Sequence, residues 1–379
     1  MIKYVCAGMF FLFFLQPPGW AQIDEEINVV GLRLLDYGIE LPDDILQKRS
    51  AVFISVPQKS AQSSERGDWK SLSFQAHGYF KQIGIDAAVY IYLDDVLAGP
   101  DASRMYAKYL TEREIKYIII LSKVLVKSGN KIDTTYVAVI TQFNGQPDFI
   151  SNGQKAWKDQ NKDLDRVMKN IYRISVRLEF KRTNFLIIDQ PEFISGFNII
   201  TVKRNESFPT DLRVDKIAVP KFIDYEISSG YPQSPINNRI SREIDENNNI
   251  NSRLNARLEN LFSIYPWKYE LVDYGLGEEQ LFKDGFQYVL LRLNTAGNSI
   301  RQMLGYELNQ GETDYITVLK KPDGTITFRS IPVSAPVYKY YIKHLVRKEI
   351  FIGEVWDADE TWDASLEHFI VNLKEKLNK

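Results

Sequence analysis

The sequence predicts an α/β chain: two tandem α/β modules, read as a duplication, each a mixed sheet with flanking helices and an antiparallel hairpin, after a signal peptide. Three observations lead there. Apolar, β-branched runs of strand length alternate with segments whose apolar residues recur at helical spacing. Two stretches, Tyr136–Ser151 and Tyr315–Ser330, align without a gap and share Tyr136/Tyr315, Val139/Val318, Gly145/Gly324, Phe149/Phe328 and Ser151/Ser330. Each reads as a strand, an Asn-Gly or Asp-Gly turn, and a returning strand. Finally, the strand before each hairpin, the helix after it and the opening strand recur in the same order.

The first residues stand outside that fold. Lys3 precedes the apolar run Met9–Leu15, Pro17-Pro18-Gly19 breaks it, and Gly19 and Ala21 are small residues before a cut at Gln22. A signal peptide over 1–21 follows, since the run is far short of the roughly 20 residues a membrane span needs. The expected protein is exported, periplasmic or extracellular, with no transmembrane span in its mature chain. Cys6 is the single cysteine and lies in this leader. The mature chain therefore has no thiol, which excludes disulfides, cysteine nucleophiles and thiolate metal sites. A formal net charge of −2 argues against a nucleic-acid partner. Aromatic residues at 13% and hydrophobic ones at 44% are enough for a packed core and exclude a disordered chain.

Residues 22–48 form an N-terminal lead-in, and the first module spans 49–190. Ser50–Val56 is a buried-strand run ended by Pro57. Trp69, Leu72, Ala76, Phe80 and Ile83 recur at helical spacing up to Gly84, a C′ glycine. Ala87–Leu93 is the second strand, Asp101–Glu114 a helix capped by Asp101, and Ile115–Leu121 the third strand. After a loop over 122–134 and the first hairpin, Leu164, Val167, Met168, Ile171, Ile174 and Leu178 make one stripe of a long helix. Asn184–Ile188 reads as a last strand. Residues 191–215 link to the second module, 216–379. There Lys216–Phe222 opens as a strand and Ile240–Ile264 is helical, with an interruption at Asn247-Asn248-Asn249. Lys268–Val272 is a strand, Glu278–Asp284 a short helix and Phe286–Leu293 a strand before the second hairpin. Pro336–Phe351 is an insertion whose Tyr338, Tyr340 and Tyr341 read as the inner face of a helix, the other reading being an exposed contact surface. Leu366, Phe369, Ile370, Leu373 and Leu377 form the terminal helix stripe.

Chemistry is sparse. There is no P-loop, dinucleotide fingerprint, nucleophile elbow or zinc-protease helix. The three histidines, His77, His344 and His368, lie in separate regions without a second histidine at i+4. No catalytic residue is assigned. The acids to watch are Asp94 and Asp95, at the carboxyl end of the second strand, where ligands of open α/β sheets gather. Their other reading is a strand-to-helix loop whose acids favour the helix N-terminus. Asp357, Asp359 and Asp363 have calcium-loop spacing, but Trp362 stands where that loop needs glycine and His368 where it needs a bidentate acid. Helix capping explains them better. No cofactor-binding set is present.

Ile217-Ala218-Val219 with Phe222, Tyr288-Val289-Leu290 and Asp323-Gly324 follow one another as strand, helix, strand, helix, strand and hairpin. In that order the second module resembles the small α/β module of bacterial envelope proteins, such as the N-terminal domain of the translocation protein TolB and the curli-secretion lipoprotein family. The resemblance implies an interaction or assembly module without catalytic residues, and the absence of a lipid-attachment cysteine departs from the lipoprotein members. The expectation is a non-catalytic exported protein that binds an envelope protein. The alternative is a hydrolase or ligand-binding enzyme acting through Asp94 and Asp95.

Overall fold

Ser50–Ile54 is buried without a break, and this run lies inside a seven-stranded mixed sheet. The computed structural model describes residues 35–59, 64–128, 131–151, 153–223, 235–321 and 323–378, with the side chains of 126–128, 131–132 and 235–243 left aside. The signal peptide read at 1–21 and the start of the lead-in lie outside the described residues. The chain divides into two compact units. The first comprises Met1–Ile199 with Asn294–Met303 and Pro332–Pro336; the second comprises Ile200–Leu293, Leu304–Ile331 and Val337–Lys379.

The first unit has strands β1 (Asp36–Gly38), β2 (Arg49–Ser55), β3 (Asp86–Tyr92), β4 (Ile115–Ser128), β5 (Lys131–Gln142), β6 (Lys155–Asn161) and β7 (Phe193–Ile194), in the order β1-β6-β5-β4-β2-β3-β7. β2 runs parallel to β3 and β4, whereas β4, β5 and β6 form an antiparallel meander. Parallel strands need covered faces, which is why their sequences are continuous apolar runs. Helices α1 (Trp69–Ile83) and α4 (Leu164–Arg177) cover one face; α2 (Leu93–Val96) and α3 (Pro100–Glu112) lie between them in the chain. The Asp68 side chain accepts the Ser71 N–H at the start of α1, and Gly84 ends it at φ 97°. Trp69, Leu72, Phe80, Val167, Met168 and Ile171 pack with Val52, Ile54, Tyr90, Ile119 and Ile140 in one core. The alternate residues Phe53, Val89, Ile91, Ile118 and Ile120 point to the other face and are buried too.

β8 (Arg204–Asn205), β9 (Ile217–Pro220), β10 (Tyr269–Val272), β11 (Tyr288–Ala296), β14 (Pro336–His344) and β15 (Ile350–Phe351) form a second sheet in the order β10-β9-β11-β14-β15-β8, which belongs to the second unit apart from Asn294–Ala296 and Pro336. β12 (Asp314–Lys320) and β13 (Ile326–Pro332) pair as a separate two-stranded hairpin. The helices that follow in the chain are α5 (Pro235–Phe262), α6 (Glu278–Lys283), α7 (Gly297–Met303) and α8 (Trp362–Leu377), of which α7 belongs to the first unit. No described helix is long and apolar enough to cross a membrane. The protein is a mixed α/β fold with helices flanking its sheets and an antiparallel hairpin.

Several elements differ from the sequence expectation, each for a physical reason. The hairpin expected at Tyr136–Ser151 is not one. Tyr136–Gln142 is the end of β5, and the return strand waits until Lys155. Pro147 has no N–H to offer a ladder, and Phe149 adopts φ 61°. That turn buries its ring against Phe53 at 5.7 Å and Phe143 at 6.0 Å. The second copy, Tyr315–Ser330, is the β12–β13 hairpin, so the element that suggested duplication is not shared. Asn184–Ile188 forms no strand: Phe185 is 75% and Leu186 96% exposed, and Phe193–Ile194 pairs with β3 instead. α5 runs unbroken through Asn247-Asn248-Asn249. Tyr338–Tyr341 are buried as expected, but on strand β14, because a short run buried on both faces has no period to separate helix from strand.

Candidate functional site

Asp94 and Asp95 leave β3 in the single turn α2, and the structure gives them different surroundings. β2 is followed by a loop that closes on itself: a Cβ on Gly67 would lie 2.2 Å from the Pro57 carbonyl oxygen, so only glycine fits. Lys59 N–H donates to Glu65 O at 3.1 Å, and their side chains form an ion pair. This closure turns the next side chain, Arg66, inward. Its Nη2 donates to Asp95 Oδ1 at 2.8 Å and to Thr295 Oγ1 at 2.7 Å, and its Nη1 reaches Asp95 Oδ2 at 3.4 Å. Thr295 Oγ1 in turn donates to Asp95 Oδ1 at 2.6 Å. The guanidinium lies 3.7 Å from the centre of the Tyr92 ring, and the Arg66 main-chain N–H donates to Ser334 O at 3.1 Å. Asp95 is completely buried. Burial works to lower the Arg66 pKa, but the charge and hydrogen bonds of Asp95, together with Tyr92 and Asp94, outweigh it and hold the guanidinium above its ordinary range.

Asp94 is half-buried beside this cluster, and its carboxylate accepts a hydrogen bond from its own main chain. Burial pushes its pKa up to about 6; Arg66 opposes the shift, and the neighbouring Asp95 charge adds to it. A folded pKa above the unfolded value means that stability is fullest below about pH 4 and is lost as pH rises through about 6. We therefore expect Asp94→Asn to stabilise the protein by about 1–2 kcal/mol at pH 7.5, after discounting for solvent screening, and by nothing at pH 4. Urea unfolding across that pH range reads this directly. An equal effect at every pH would remove the charge as the cause.

The calcium-spaced acids are engaged internally. Asp357 Oδ1 accepts from Lys339 Nζ at 2.5 Å and its Oδ2 from Asn372 Nδ2 at 2.9 Å. Asp359 accepts from Arg329 Nη1 at 3.0 Å. Asp363, at the start of α8, accepts its neighbour's N–H from Ala364 at 3.0 Å and lies 3.6 Å from Arg257. Among the described residues no three His, Cys, Asp or Glu side chains converge as a metal-ligand set. Two of the histidines, His77 and His344, are tied locally as well. His77 bridges the Tyr90 hydroxyl at 3.0 Å and Ile188 O at 2.9 Å, and His344 Nδ1 accepts from the N–H groups of Val346 and Arg347. His368 is buried, and desolvation lowers its pKa.

A separate open cleft of about 380 Å³ lies in the first unit, lined by Gln75, Tyr79, Tyr136, Lys162, Asp163 and Asp165. Lys162 there is paired with Asp133, and Asp165 with Lys169. The cleft does not include Asp94 or Asp95. Sequence reasoning missed Arg66, Thr295 and Lys339. Arg66 sits in a small polar loop where nothing marks it, whereas Lys339, an ionisable residue within an apolar aromatic run, did carry a signal.

No protein-family model matches the chain, and no curated protein matches it. Among solved structures, the chain is similar to a PelC dodecamer variant from Paraburkholderia phytofirmans, at 12% identity over 38% of this chain and 94% of that one, with a TM-score of 0.20. A superposition at that level establishes neither a shared fold nor a shared activity.

Proposed function

We propose that the chain is an exported envelope protein without catalytic activity, acting as a protein-interaction or assembly module. The observation that carries this reading is the state of Asp95. It stands at the carboxyl ends of parallel strands, where α/β sheets hold their ligands. Yet its carboxylate is 0% exposed and engaged by Arg66 and Thr295, so it presents no surface to a substrate. Exposed apolar side chains such as Phe185 and Leu186 supply material for docking another protein. The leader read at 1–21 supports export, and the small negative net charge argues against nucleic acid.

One observation favours the enzyme reading, a hydrolase or ligand-binding enzyme: the half-buried Asp94, whose pKa of about 6 suits proton transfer near neutrality. Two experiments separate the readings. Tagged chain incubated with detergent-solubilised envelope is expected to retain a stoichiometric protein partner. Wild type and Asp94→Ala are expected to be equally inert towards p-nitrophenyl esters, phosphates and glycosides. Hydrolysis that disappears in Asp94→Ala, with no partner retained, would sink the interaction reading.

A further inference from the structure

Residues 181–190 form a strap that leaves the end of α4 and runs back along α1, fastened at both ends. At its start the Thr183 and Asn184 N–H groups donate to Leu46 O at 3.2 and 3.3 Å. Arg182 Nη2 reaches Lys81 O, in the last turn of α1, at 3.4 Å. At the far end Ile188 O meets His77 Nε2 of α1 at 2.9 Å. Between these ties Phe185 is 75% and Leu186 96% exposed. The anchors hold this tip out, and the Phe185 N–H closes a turn onto Thr183 O at 3.0 Å. Two adjacent apolar side chains so far from the core contribute little to folding, since stabilisation follows the apolar area taken out of water.

Cations flank the tip. Residues 172–188 hold four, Arg173, Arg177, Lys181 and Arg182, against the single acid Glu179, in a chain whose formal net charge is −2. All five are exposed. The acids on either side, Asp165 and Asp189, are paired with Lys169 and Lys81, so their ion pairs engage none of the four. Asn184 Nδ2 donates to Lys48 O and to Gly84 O, each at 3.4 Å, which brings another exposed cation, Lys48, to the foot of the strap. On α4 and just past its end, Val176 and Leu178 add exposed apolar side chains among the cations.

This combination selects the occupant. A leucine exposed on almost every side offers no pocket wall, whereas the core of a protein interface packs like a protein interior. A bilayer needs no matching shape. It takes apolar side chains below its headgroups, and its anionic lipids attract a cluster of cations at headgroup level. We propose that this end of the first unit docks on an anionic lipid bilayer. Phe185 and Leu186 enter below the headgroups, and Lys48, Arg177 and Lys181 lie against their phosphates. Assigning the tip to lipid leaves the exposed Ile316, Ile326 and Phe328 for a protein contact, so the inference goes beyond the interaction reading and does not need it.

The full chain carrying Cys6→Ala and Leu186→Cys, labelled with the environment-sensitive dye nitrobenzoxadiazole, reads insertion at the tip. Vesicles of equal parts phosphatidylglycerol and phosphatidylcholine are expected to shift its emission to the blue. Phosphatidylcholine alone, or the mixed vesicles in about 0.5 M salt, should not. The same dye at Lys108→Cys should stay unchanged, because this exposed site is on α3, which adds nothing to the core under α1 and α4. Arg177→Gln with Lys181→Gln, both at exposed sites, should melt like wild type and weaken the lipid response about 25-fold, at about fivefold per cation.

No blue shift with up to about 1 mM anionic lipid would overturn the docking. So would an equal shift on phosphatidylcholine alone, an equal shift at position 108, or a response that survives the loss of both cations. A shift given only by lipid-free envelope protein would assign the tip to a protein partner and overturn it as well. Vesicle docking without capture of an envelope partner would support this inference and weaken only the interaction reading.

Discussion

Arg66→Met is expected to cost about 3–5 kcal/mol, because it strips a completely buried carboxylate of its counter-charge. Asp95 would keep only the Thr295 hydroxyl at 2.6 Å, and Thr295 would lose the guanidinium it accepts from. For a body of this size the melting temperature should fall by on the order of 10 °C. The Arg66 main-chain bond to Ser334 O survives, so the loss belongs to the side chain. Combining Arg66→Met with Asp95→Leu separates two explanations. If the cost is an uncompensated charge, the double variant should recover most of it, since an apolar pair of similar volume often matches a buried ion pair. If the cost is lost packing of the guanidinium on Tyr92, the double variant stays as unstable as the single one. Urea unfolding of both variants beside wild type decides between them, and a single-variant loss under about 1 kcal/mol would mean that the buried pair holds nothing together.

This pair changes what the acids at the end of β3 mean. As sequence, Asp94 and Asp95 are one acidic doublet at a strand end. In the structure they are two different groups: Asp95 a tie between segments distant in the chain, Asp94 a charge held at a cost beside it. Only Asp94 keeps the properties of a chemical group free to act, which is why the enzyme alternative now rests on it alone.

Where periodicity was strong, the sequence was enough to place an element. The α1 stripe and the β2 run came out as read, because each follows the period of its own backbone geometry. The Asn184–Ile188 run has strand composition but finds no sheet neighbour; its Ile188 carbonyl goes to His77 on α1 instead. Strand composition selects an extended backbone, while tertiary contacts decide whether a ladder forms. The site was half legible for the same reason. The position of Asp95 followed from its strand, but Arg66 lies 29 residues before it and Thr295 200 residues after it. No local pattern links residues so far apart.

Lys339 makes the corresponding argument in the second unit. Its side chain is completely buried, with Nζ donating to Asp357 Oδ1 at 2.5 Å and to Ile352 O at 2.9 Å, and with the Phe369 ring centre 5.5 Å away. Lys339→Met leaves Asp357 with Asn372 as its only side-chain donor and orphans a buried carbonyl, an expected loss of about 3–5 kcal/mol. The pH dependence of that loss is the sharper test. Without the ammonium, the Asp357 carboxylate is a buried charge that has lost its counter-charge. Its penalty then grows as pH rises and fades as the carboxyl protonates. The gap between Lys339→Met and wild type should therefore be widest at pH 7–8 and narrow towards about pH 4. Adding Asp357→Asn should remove the pH dependence of the gap, because no charge is left to bury. A gap of constant size, unchanged by Asp357→Asn, would assign the role of Lys339 to the packing of its stem on Phe369 and not to its charge.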